Sequence, residues 1–271
     1  RVHGFLSNPV ASRHFLSDLS GTLLRGSSRS TKDWNFLLFR ARNVRGFSGF
    51  NRLVPSFGRG WRSPFQQLTP ENVVYGLIIA NFAVFCLWRV ADKRFMINNF
   101  MISLDNFEAG RLHTLITSAF SQLQFGHMFS NMLGLYFFGM NIGRSFGPEF
   151  LLKLYLAGAL GGSVLYLIHH AWMASNSTGR GTWGVDPSRI PGLGASGAVN
   201  AIMLLDIFLN PRAIIYLEFL IPVPAMFLGI FMIGHDFWRI MQGDSFISGS
   251  AHLGGAAVAA LAWYRIRKGR F

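Results

Sequence analysis

The sequence predicts an all-α, polytopic membrane protein, a bundle of six transmembrane helices behind a basic leader. Three observations carry this. Only 14% of the 271 residues are charged, against about 25% in soluble globular domains, and mean hydropathy is +0.33, so polar surface is too scarce to coat a water-soluble core. Six stretches approach the roughly 20 mostly apolar residues that a bilayer core demands of one helix. The charge is also lopsided: of a formal +13, residues 1–70 hold +9, from eleven Lys and Arg against Asp18 and Asp33.

The division follows that charge, with a leader over 1–70 and a six-helix membrane domain over 71–271. Rich in Arg and Ser, poor in acids, and carrying short apolar clusters such as Phe36–Phe39, the leader has the composition of a mitochondrial or plastid transit peptide. A secretory signal fits poorly because no apolar core of about 7 to 15 residues stands near the start. The competing reading is a disordered basic arm touching lipid headgroups or RNA. Aromatic and basic residues do not recur in a register suited to base stacking, so a nucleic-acid partner is not expected. Cys86 is the only cysteine, which excludes an intramolecular disulfide and argues against a cysteine metal site.

In order, the expected spans are 72–90, 125–143, 150–172, 193–209, 214–234 and 249–265. The connection 91–124 between the first two is long and carries Phe95, Met96, Phe100, Met101, Leu112 and Phe120, which suits the membrane interface. A Gly-rich polar connection runs over 173–192. Pro222 and Pro224 fall inside the fifth span, so that helix should be kinked or irregular.

Polar groups inside spans are costly and therefore informative. With six spans, all even-numbered helices enter from one face, and His127, Asn131, Ser196 and His252 each lie near the entering end of an even-numbered helix. They converge at one depth. Asp206, ten residues beyond Ser196, lies about 15 Å further along its helix; it is expected to pair with Arg212 or snorkel, and Glu218 to do the same. Gly192, Gly194 and Gly197 surround Ser196, while Gly254, Gly255 and Ala259 follow His252, allowing the fourth and sixth helices to approach closely. An adjacent neutral imidazole is the side chain suited to accept a serine proton near pH 7. His127 and Asn131, four apart on one helical face, can donate to a developing oxyanion. No H-E-x-x-H stretch occurs, and His169, His170 and His235 have no second ligand pair at metal spacing, so neither metal nor cofactor is expected.

Gly194-Ala195-Ser196-Gly197, Ala251-His252-Leu253-Gly254-Gly255 and His127-x-x-x-Asn131, in this order and on these spans, resemble the signature of the rhomboid intramembrane serine proteases, in particular the organellar, plant-like members. The resemblance covers about residues 72–270. It implies a serine endopeptidase with Ser196 as nucleophile and His252 as general base and later acid, and no third acid. It further implies an oxyanion hole of His127, Asn131 and the Ser196 backbone N–H, with Gly194, Gly197, Gly255 and Arg111 in packing and loop roles.

The chain departs from the pattern where Gly110 precedes Arg111 in place of Trp, where Gln122 replaces a second His, where Asn200 stands in place of a Tyr under the imidazole, and at Ala259. These positions touch packing and loop geometry rather than the dyad. The implied partners are transmembrane protein substrates and the lipid bilayer. A catalytically silent relative that binds or escorts transmembrane clients is the alternative, and a transporter built on Asp206 and Glu218 is weaker, since the halves show no repeat. The leader points to the mitochondrial inner membrane or to a plastid membrane, and the basic residues beside the spans, comparable on both faces, lean towards termini in the matrix.

Overall fold

The structure, a computed structural model, describes residues 68–176, 189–217, 221–242 and 249–269. All but the last three residues of the expected leader, and Glu218 as well, lie outside the described residues.

Helix α1 spans Pro70–Val90; Thr69 caps it by accepting from the Asn72 N–H, and Pro70 occupies the first turn, where its missing N–H is not needed. The connection 91–124 is mostly helical. It holds α2 (Lys93–Phe100), α3 (Leu104–Glu108) and α4 (Thr114–Thr117), closed by a 3-10 turn at Ser118–Phe120. Asp92 and Ser103 start α2 and α3 by accepting from the N–H groups of Phe95 and Asn106, so these two helices have side-chain caps, whereas α4 has none.

Helix α5 (Phe125–Phe146) turns into α6 (Pro148–Asn176) through Gly147, whose φ of 92° suits a residue without a Cβ. Helix α7 covers Ser196–Leu209, α8 Ala225–Gln242 and α9 Gly249–Arg267. The helices of 14 residues or more among the described residues are therefore α1, α5, α6, α7, α8 and α9, one for each expected span. Of these, α1 and α6 are long and apolar enough to cross a bilayer, and α7 is apolar but shorter.

The fifth span is corrected. Ile214–Leu217 (β1) and Ile221–Pro224 (β2) pair as antiparallel strands, and helix begins only at Ala225. The β-branched Ile214, Ile215, Ile221 and Val223 favour the extended form, and Pro222 and Pro224 cannot donate within a helix. The Ala225 N–H donates to the Ala213 carbonyl; alternation along the ladder then places Pro222 and Pro224, opposite Tyr216 and Ile214, in the non-hydrogen-bonded pairs. Their nitrogens face outward, where a two-stranded ribbon tolerates them.

Three helices, α6, α7 and α9, pack backbone against backbone. A Cβ on Gly254 would overlap the carbonyl of Gly161, one on Gly255 the carbonyl of Gly197, and one on Gly158 would lie 2.9 Å from the Ala198 Cα. Small residues thus let backbones meet where no side chain would fit. The approach of α7 and α9 agrees with the expectation from Gly197 and Gly255, and Gly158, Gly161 and Gly162 of α6 supply the third surface. Around this seam Leu135, Leu151, Ile202, Leu204 and Leu205 are fully buried. Large apolar side chains including Ile79, Ile168, Ile230 and Phe231 face outward, an exterior matched to lipid rather than water.

Candidate active site

Ser196 is the first residue of α7 and Ala195 its cap, with no side chain capping the helix. The N–H groups of the first turn therefore have no intrahelical acceptor, and the helix dipole adds positive potential beside the serine. The chain reaches this point through Gly194 at φ 135°, a conformation L side chains rarely adopt. Three backbone bonds hold the approach: Ile102 and Gly192 exchange N–H···O bonds of 2.8 and 2.7 Å, and the Gly194 N–H donates to Ser118 O at 3.0 Å. The fourth span was expected from 193; residues 193–195 instead form the turn that presents the serine.

His127, in the first turn of α5, comes to the same place: a Cβ on Gly194 would lie 3.2 Å from the His127 Cε1 and 3.7 Å from the Ser196 Oγ. His252, in the first turn of α9, completes the group. Together His127, Gly194, Ser196, Gly197 and His252 line a cavity of about 540 Å³, whose walls also include Tyr166 and Met101. The His252 Nε2 is buried without a hydrogen-bond partner. No hydrogen bond therefore joins it to the Ser196 hydroxyl in this state, although both line the same space.

The other predicted residues are placed differently. Asn131, one turn after His127, is buried and does not line the cavity, and its Nδ2 has no acceptor. Asn200 is buried one turn beyond Ser196, and Gly255 lies at the α7–α9 crossing. Arg111 stays in the outer connection, where its guanidinium donates to Asn106 Oδ1 at 2.8 Å. Asp206 is held by Asn141 and Asn210, each donating at 3.3 Å, rather than by Arg212. His170 is tied to the Tyr166 carbonyl and stacked on its ring. No group of three metal-ligating side chains occurs among the described residues.

One polar partner escaped the sequence reading. Asp236, on α8, is buried and its Oδ1 lies 2.8 Å from the His252 Nδ1. The resemblance implied no third acid, and placing the fifth span at 214–234 left Asp236 outside it; the helix instead covers 225–242 and carries Asp236 to the level of His252. The signal available was Pro222 and Pro224, which mark the first half of that span as non-helical.

The rhomboid domain family model matches residues 109–268. The chain is 70% identical over 226 residues to RHOMBOID-like protein 12, mitochondrial, of Arabidopsis thaliana, covering 83% of this chain and 66% of that protein. It is 40% identical over 277 residues to Rhomboid-like protein 16, chloroplastic, of the same plant, covering 100% of this chain and 82% of that protein. Rhomboid protein 1, mitochondrial, of Saccharomyces cerevisiae is 30% identical over 200 residues, 72% of this chain and 54% of the yeast protein. With a helical bundle, a serine at a helix N-terminus and a histidine across a shared cavity, the chain belongs to the rhomboid family.

Proposed function

We propose that the protein is an intramembrane serine endopeptidase that hydrolyses peptide bonds in or near transmembrane segments through Ser196 and His252. The observation that carries this is the cavity shared by His127, Ser196 and His252, with Ser196 at a helix N-terminus and an imidazole nitrogen of His252 left without a partner. Ser196 Oγ attacks the scissile carbonyl while His252 Nε2 takes its proton. The Ser196 N–H, His127 and Asn131 donate to the oxyanion, the Asn131 Nδ2 being buried without another acceptor. His252 then protonates the leaving amine, and water releases the acyl group by the same path in reverse.

On this reading six helices cross the bilayer, the segment 1–70 is a leader, and the membrane is mitochondrial, the inner one, with the termini in the matrix. Relatives named as mitochondrial at 70% and 30% identity support that compartment. Substrates are single-span proteins whose helix unwinds near this face, because a carbonyl bonded within a helix is shielded.

The test is labelling of purified protein in detergent with a fluorophosphonate probe, together with cleavage of a single-span substrate. Wild type should label and cleave, and Ser196→Ala and His252→Ala should do neither while remaining folded. Wild-type protein that is folded yet inert in both assays would replace the protease with a client-binding, non-catalytic rhomboid.

A further inference from the structure

Asp236 and His252 face each other across neighbouring helices. Their side chains are only 8% and 16% exposed, and Oδ1 and Nδ1 are 2.8 Å apart. The juxtaposition is built by the backbone: a Cβ on Gly249 would lie 2.6 Å from the Asp236 carbonyl oxygen, so the start of α9 presses on α8 at this residue, and His252, three positions on, shares the face of Gly249. No Lys or Arg pairs with Asp236 among the described residues; its ion-pairing partner there is His252.

A buried carboxylate is stable only when hydrogen-bonded or paired, and when ionised it can only accept. The neutral imidazole beside it must then carry its proton on Nδ1. That leaves the lone pair on Nε2, the nitrogen that is buried and unpartnered at the Ser196 cavity. As Nε2 takes the serine proton, positive charge builds beside the carboxylate, which stabilises the imidazolium.

We propose that Asp236 is a positioning residue that fixes the tautomer and orientation of His252, making this site a Ser196–His252–Asp236 relay rather than a dyad. The inference rests on the protease reading given above. It contacts the base and not the substrate, so its loss acts on the chemical step and not on binding.

Two measurements test it. Nitrogen-15 spectra of imidazole-labelled protein in detergent micelles, with the His252 signals assigned by difference from His252→Gln, read the tautomer without requiring activity. A protonated Nδ1 and bare Nε2 at neutral pH are expected; a protonated Nε2 with bare Nδ1 would overturn the proposal. The second measurement is the rate of fluorophosphonate labelling of Ser196 in wild type, Asp236→Asn and Asp236→Glu. The Asn variant, of equal size, should label at least tenfold more slowly through the maximal rate, with the probe's half-saturating concentration and the unfolding temperature unchanged, and Glu should recover part of the rate.

Labelling of a folded Asp236→Asn protein within twofold of wild type would sink the inference while leaving the protease intact. Wild type that does not label removes the protease reading instead, and the tautomer alone then decides for or against the positioning role. The same spectrum decides if the Asn variant does not fold.

Discussion

A methyl group on Gly255 would overlap the backbone carbonyl oxygen of Gly197. Gly197, next to Ser196, and Gly255, three residues after His252, thus meet with no room between them. Gly255→Ala is expected to destabilise the protein by at least about 1–3 kcal/mol, the usual cost of overpacking, because the obstruction is backbone and cannot rotate away. Thermal unfolding in detergent micelles measures it; an unchanged midpoint would show that α9 has another seat.

Asn131 offers a different prediction. One oxyanion donor is worth roughly 10²–10³ in turnover, so Asn131→Ala should lower kcat by about that factor, with little effect on substrate binding. Its buried Nδ2 already lacks an acceptor, so removing the amide should leave stability unchanged or slightly raised. Substrate cleavage and a melting curve on one preparation separate the two effects.

Gly194 joins strain to function. With φ at 135° and a Cβ that would press on the His127 ring at 3.2 Å, Gly194→Ala should cost about 1–3 kcal/mol of local strain. The turn would relax by moving Ser196. Probe labelling should fall at least tenfold with a smaller change in melting temperature than Gly255→Ala produces.

Tyr155 ties the site's supports together. Its fully buried hydroxyl donates to Ala119 O at 3.0 Å and accepts from Asn81 Nδ2 at 3.1 Å, joining α6, α1 and the 3-10 turn. Tyr155→Phe leaves a buried carbonyl with one fewer partner and should cost about 1–3 kcal/mol. Comparing its melting temperature with that of Tyr264→Phe, an exposed tyrosine, checks this.

Much of the site could be read from the chain because its parts lie in first turns of helices that enter from one side. His127, Ser196 and His252 then need only helix parity to come together, and the glycines beside them announce close packing. What could not be read depends on where helices start. Asp236 counts as a site residue only if the fifth helix begins at Ala225, and hydropathy alone does not distinguish an apolar hairpin from an apolar helix when Ile and Val dominate both. Arg111 comes from the family pattern alone, and its partner in that loop, Asn106, has no signal in the sequence. Gly158 and Gly161 look like ordinary small residues of an apolar run, and their role appears only once α7 lies against the first and α9 against the second.

The chain order of the relay has a consequence for synthesis. Ser196 and its turn are made first, tied to Ile102 and Ser118, and neither the base nor its carboxylate exists until dozens of further residues have followed. Asp236 gains its partner only when α9 seats against Gly161 and Gly197. On the proposed mechanism, a nascent or truncated chain ending before residue 252 therefore carries a serine with no base to activate it, and folding of α9 becomes the arming step that keeps Ser196 quiet until the bundle is complete.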